Sequence, residues 1–144
     1  MAETQNYANH VRRTPMYYNL AGGVLFLNIL WSGYRLIGNM SVDSVLYFFV
    51  SIALLVAAFA ARTQTLTVQN RVIRLEERLR YQALLPAEVA ARAVNLPLNQ
   101  IVALRFASDS ELPALVQQVL AGQVSDPKDI KQKVTSWQGD FLRA

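Results

Sequence analysis

The sequence predicts an all-α membrane protein: a two-helix transmembrane hairpin whose second span continues as a cytoplasmic stalk helix, followed by a small C-terminal helical domain. Three observations predict it. Two apolar runs, 16–37 and 44–61, each suffice for the roughly 30 Å of a bilayer's hydrocarbon. No Pro or Gly interrupts the chain between Asn39 and Leu85, so the second run passes straight into the charged segment RTQTLTVQNRVIRLEERLRYQALL. From Pro86 onward, prolines divide the chain into short stretches that carry helical apolar stripes. The expected divisions are a cytoplasmic tail at 1–15, the hairpin at 16–61, the stalk at 62–85 and the helical domain at 86–144.

Composition narrows the class. Of 144 residues, 53% are hydrophobic and only 17% charged, with the apolar ones concentrated before Arg62. The absence of cysteine excludes a disulfide framework and thiol chemistry. His10 is the single histidine, so one chain holds no multi-histidine metal centre. In a polar tail such a residue is more often exposed than a ligand to haem or pigment, and no cofactor is expected.

The tail ends in Arg12 and Arg13, and Pro15 suits the first turn of the helix that follows. A signal peptide is not expected, because the apolar stretch is too long and GNMS lacks a small-x-small cleavage pattern. Tyr17 and Tyr18 at one end of the first span, and Trp31 and Tyr34 at the other, mark the two membrane interfaces. Gly38 can end this helix, and Ser41 or Asp43 can cap the next. The linker GNMSVD has no Lys or Arg, whereas Arg12, Arg13, Arg62 and Arg71 flank the hairpin on the other side. The positive-inside rule then puts both termini in the cytoplasm. Arg35 can snorkel to headgroups or meet Asp43 across the turn.

Within the hairpin, Ala21, Leu25, Asn28, Ser32 and Arg35 share a small, polar face of span one. Ala53, Ala57 and Ala61 form a small-xxx-small face on span two. The simplest packing sets one face on the other, with Asn28 bonding inside.

The stalk repeats Val68, Val72, Leu75, Leu79 and Gln82 at four–three–four–three spacing, a short coiled-coil seam. Glu76 and Arg80 stand in the favourable i,i+4 order. Arg71, Arg74 and Arg78 line one side, which reads first as a solvated face and second as a surface for an acidic protein partner. Arg74 and Arg78 lie about 20 Å or more beyond Ala61 at helical rise, too far for lipid headgroups. Acidic neighbours and the absence of a nucleic-acid-binding motif count against nucleic acid.

Beyond the stalk, PAEVAARAV and LNQIVALRFA read as short helices separated at Asn95–Pro97. In SDSELPALVQQVLAG, Pro113 belongs in a first turn capped by Ser110, and Gly122 ends the helix. A last helix starts with Asp126 as cap and Pro127 at its first position, with the stripe Ile130, Val134, Trp137 and Phe141. No phosphate-binding, dinucleotide, zinc-protease or nucleophile-elbow motif occurs. Asp109 and Glu111 read as helix-start acids rather than a catalytic pair.

The stretches QNRVIRLEERLRYQ, ALRFASDSELPALV and IKQKVTSWQGDFLR, with the N-terminal QNYANHVRRTP, resemble an uncharacterised bacterial family of small two-span membrane proteins. The resemblance implies this architecture and a bacterial membrane setting, and it carries over no activity and no functional residue; the expected location is the bacterial inner membrane, with both termini cytoplasmic. With no catalytic motif and no paired reactive residues, the expected function is non-enzymatic: an assembly, scaffold or accessory subunit that meets membrane lipid and forms a homo-oligomer or joins a larger membrane complex. The alternative is a membrane-anchored regulator or signal transducer, though the short outer linker offers a sensor no ligand pocket. No nucleic acid or small-molecule substrate is evident. The candidate interface comprises Asn28, Ala53, Ala57, Ala61, Val68, Val72, Leu75, Leu79, Arg71, Arg74 and Arg78.

Overall fold

The computed structural model describes residues 6–9 and 15–140. Among these the chain forms six helices: α1 (Met16–Gly38), α2 (Val42–Leu84), α3 (Ala87–Ala93), α4 (Leu98–Leu104), α5 (Leu112–Leu120) and α6 (Pro127–Lys133). The only β pairing among the described residues is an isolated antiparallel bridge between Ala107 and Trp137. Two compact units result, Arg13–Leu66 and Thr67–Ala144 with Met1–Arg12. His10, Arg12, Arg13 and Phe141 lie outside the described residues, and so do the expectations placed on them.

The first unit is the hairpin. Helices α1 and α2 are both long and apolar enough to cross a membrane. The turn between them is tied by reciprocal capping: the Ser44 N–H donates to Ser41 Oγ at 3.2 Å, and the Ser41 N–H donates to Ser44 Oγ at 2.9 Å. This is the geometry of a capping box with serine at both ends, and it satisfies donors that the helix start leaves open. Arg35 and Asp43 line a common cavity of about 420 Å³ at this turn.

The helices approach through small residues. Ser32 and Ser51 are buried. A Cβ at Gly33 would stand 3.4 Å from Phe48 Cε2, at ordinary contact distance, which places Gly33 against that ring. The expected alanine packing does not occur within the hairpin: Ala53, Ala57 and Ala61 are exposed, and α1 meets the side of α2 that carries Phe48 and Ser51. The physical reason is Asn28. Its amide needs hydrogen-bond partners in an apolar setting, and the alanine face offers none.

The second unit is the stalk end of α2 with the head, α3–α6. Each head helix is too short to persist alone, so tertiary packing must hold it. Helix α4 packs on α5 and α6, and α5 packs on α3 and α6. The core joins Tyr81 and Leu85 of the stalk segment to Ala93, Leu104, Leu112, Val116 and Ile130 of the head. Tyr81, Ile101, Leu104, Phe106, Leu112 and Ile130 are among its largest fully buried side chains.

Two helix ends differ from expectation. Helix α5 starts one residue later than predicted, with Glu111 rather than Ser110 at its cap. The Leu112 N–H is taken by the Ser108 carbonyl at 2.9 Å, and the Ser110 hydroxyl turns to Ser108 Oγ at 3.0 Å. Helix α6 keeps its predicted start, where Asp126 Oδ1 accepts from the Lys128 N–H at 2.7 Å, but it stops at Lys133. Val134 is already extended, at φ −73° and ψ 117°. The Glu111 carboxylate accepts from the N–H groups of Thr135 (3.3 Å) and Ser136 (3.1 Å) and from the Thr135 hydroxyl. Backbone donors that would have lengthened α6 are thereby diverted. The freed segment runs beside Phe106, with the Gln138 N–H on the Phe106 carbonyl at 2.8 Å and the Ser108 N–H on the Ser136 carbonyl at 3.1 Å.

Gly122 behaves as predicted. Its φ of +73° is left-handed, and the Gln123 N–H reaches back to the Gln118 carbonyl at 3.0 Å, closing α5.

Candidate functional site

The stalk segment of α2 presents two faces with different fates. One buries Ile73, Glu77 and Tyr81, at helical spacing, against the head. The other carries the predicted seam, which stays largely exposed among the described residues. Val68 is 58% exposed, Val72 47%, Leu75 58% and Leu79 60%. The head therefore folds back on its own stalk, but on the face away from the seam.

Arg80 fastens that arrangement. Its Nη2 lies 2.7 Å from Asp109 Oδ1, and its Nε donates to the same oxygen at 2.8 Å. Nη2 also donates to the Ala107 carbonyl at 2.6 Å, and Nη1 stands 3.4 Å from Glu77 Oε1. The expected Glu76–Arg80 pair is thus replaced, because the head offers Arg80 a carboxylate and carbonyls together. Glu76 stays exposed.

Burial raises the Glu77 carboxyl above its ordinary range, against the opposing pull of the Arg80 and Arg105 charges. The Tyr81 phenol is also pushed up, first by burial and then by the neighbouring Glu77 charge. Arg105, itself buried, pairs with Asp140 at 2.9 Å and stacks over the Phe106 ring at 4.8 Å. Phe106 meets Trp137 with ring centroids 5.0 Å apart. A cavity of about 590 Å³ opens beside Glu77, Arg80, Arg105 and Asp140. Of these, Arg80 is expected from the sequence only as the mate of Glu76, and Glu77, Arg105 and Asp140 carry no expectation there. The repeat Ile73, Glu77, Tyr81 is a readable signal, but its middle member is charged.

The predicted arginines lie together. Arg71, Arg74 and Arg78 line a cavity of about 580 Å³ with Leu75 of the seam and Leu98 of α4. Arg71 and Arg78 are exposed and Arg74 is half-buried.

In the hairpin, Asn28 of α1 takes its hydrogen-bond partners from α2. Its Nδ2 donates to the Tyr47 hydroxyl at 2.8 Å, and the Ser51 hydroxyl donates to Asn28 Oδ1 at 2.6 Å. Ala53, Ala57 and Ala61 stand apart from this contact on exposed helix surface. The guanidinium of Arg62 lies over the Tyr18 ring, 5.1 Å from its centroid.

Searches of curated proteins and of solved structures give no match. A family model does match, over residues 1–144: with its hairpin, its exposed seam and its clamped head, the chain belongs to the family of unknown function DUF6526.

Proposed function

We propose that the protein is a non-enzymatic, membrane-anchored assembly subunit. In this reading α1 and the first part of α2 form a transmembrane hairpin with both termini in the cytoplasm, and the stalk is the docking element. The observation that carries it is the bare seam. Four large aliphatic side chains at coiled-coil spacing remain in solvent although the chain has a head available to cover them. Full burial of such a side chain contributes about 1.5–3 kcal/mol. A head that clamps the opposite face with Arg80 leaves that gain for association.

The head's role is to brace the stalk and hold the seam outward. The arginine row beside Leu75 supplies polarity and selects among partners.

The test replaces Leu75 and Leu79 together by Asp in the full-length protein. The expected result is a smaller particle extracted from native membranes, with helicity and the Trp137 environment unchanged. A particle of unchanged mass defeats the assembly reading.

A further inference from the structure

We infer that the occupant of the seam is a second copy of this chain, aligned parallel and in register, with Arg71 of each copy paired to Glu76 of the other. The inference rests on the assembly reading above and names its partner. It starts from the spacing. Val72 to Leu75 is three residues, and the steps on either side, Val68 to Val72 and Leu75 to Leu79, are four. In heptad terms Val72 and Leu79 then occupy a positions, and Val68 and Leu75 occupy d positions. The flanking g positions fall on Arg71 and Arg78, and the e positions on Gln69, Glu76 and Ala83.

This pattern discriminates between orientations. In a parallel, in-register pair each g residue faces the e residue five positions on in the partner. Arg71 thus meets Glu76 of the second copy, twice by symmetry. In an antiparallel pair g faces g and e faces e. Arg71 and Arg78 would meet arginines, and Glu76 would meet Glu76. The signs reject that arrangement and favour the parallel one. Membrane geometry asks for the same answer, because two copies inserted alike run their α2 helices in the same direction.

The structure keeps both members of the proposed pair available. The pairing that competes for Glu76 within the chain is Arg80 at i+4, and Arg80 is committed to Asp109 at 2.7 Å and to the Ala107 carbonyl at 2.6 Å. Arg71 and Glu76 are both exposed, on opposite flanks of a seam whose Leu75 is 58% exposed. The occupied positions of the head lie elsewhere on the helix, at Ile73, Glu77 and Tyr81.

The experiment uses the full-length protein in its native membranes. The natural chain has no cysteine, so a Leu75→Cys variant carries one thiol. In a parallel, in-register pair the two d positions lie close to the roughly 6 Å Cα separation that a disulfide spans. Mild oxidation is expected to give a covalent dimer of twice the chain mass, and Arg74→Cys, off the seam, is expected to give none. Arg71→Glu alone and Glu76→Arg alone are each expected to weaken dimerisation by about three- to tenfold, as two lost surface pairs plus new repulsion imply. Combining the two restores it. A Leu75→Cys variant that fails to cross-link, while the Leu75→Asp/Leu79→Asp protein still loses mass, overturns the second copy but leaves the assembly reading standing. An Asp variant of unchanged mass overturns both. A cross-link with charge variants that show no rescue overturns the register.

Discussion

Arg80 and Asp109 stand 29 residues apart in the chain and meet at 2.7 Å, joining the stalk end of α2 to the loop before α5. The pair is asymmetric. The Arg80 side chain is only 14% exposed and that of Asp109 is 67% exposed. Most of the hold therefore comes from what surrounds the guanidinium: the Ala107 carbonyl, Glu77 and the packed head.

Arg80→Ala is accordingly expected to cost about 2–4 kcal/mol, because it strands a buried Glu77 carboxylate and an unmatched carbonyl. Asp109→Asn is expected to cost at most about 1 kcal/mol, since water screens the exposed partner. Denaturant unfolding followed by Trp137 fluorescence, in a Trp31→Phe background, measures both. Equal losses would mean that the ion pair itself, rather than its buried surroundings, fixes the head.

The pH dependence of the clamp has a definite sign. Burial raises the folded-state pKa of Glu77 above its model-compound value of 4.5. The folded state thus favours the protonated carboxyl, a contribution present below the unfolded pKa and lost as pH rises through the folded one. Glu77→Gln mimics the neutral form at every pH. Its stability relative to the natural protein is expected to rise as pH climbs from below 4.5 through the folded pKa. Parallel unfolding titrations of the two proteins measure the difference. A difference that stays flat with pH contradicts the assigned cause.

Glu111 works with the opposite sign. The hydrogen bond from the Thr135 hydroxyl, followed by those from the Ser136 and Thr135 N–H groups, lowers its pKa. That stabilisation is present above the ordinary carboxyl pKa and lost as pH falls through the folded one. Because the carboxylate is near solvent, Glu111→Ala is expected to cost only about 1 kcal/mol of global stability. Its local effect is larger: the segment after α6 loses its latch, and Trp137 fluorescence shifts to the red. Unchanged emission would assign the fixing of Trp137 to its other partners, among them Phe106, the bridge at Ala107 and the Val134 carbonyl that accepts from its Nε1 at 3.0 Å.

What the sequence made legible follows from how local each feature is. The two apolar spans, the long uninterrupted α2, the Ser41 turn and the Asp126–Pro127 start are carried by residues within a few positions of each other. Features decided by distant partners were not readable. Glu111 looks like a helix-start acid until Thr135 and Ser136 arrive to claim it, and α6 ends there for that reason. Arg80 looks like the mate of Glu76 until Asp109 is brought beside it. The alanine repeat at Ala53, Ala57 and Ala61 has the spacing of a packing face, but spacing alone does not weigh the needs of Asn28. The candidate seam was legible as a pattern; which side of α2 the head would take was not.

The hairpin supplies the remaining prediction. Asn28 both donates to the Tyr47 hydroxyl and accepts from Ser51, so its amide is held from two sides by one helix face. In hydrocarbon an amide without partners is costly, yet measured interhelical hydrogen bonds contribute only about 1 kcal/mol because the separated helices also find partners. Asn28→Ala and Ser51→Ala are each expected to weaken the hairpin by about that amount. Their double variant should cost less than the sum, since the Asn28–Ser51 bond is lost only once. Ala57→Leu adds bulk on an exposed surface that the contact does not use, so hairpin stability in detergent should not change. If Ala57→Leu instead reduces particle mass while the hairpin stays intact, the alanine face packs between chains. Strict additivity of Asn28→Ala and Ser51→Ala would leave the hydrogen bond without energetic weight, and close packing at Ser32 and Gly33 would then carry the hairpin.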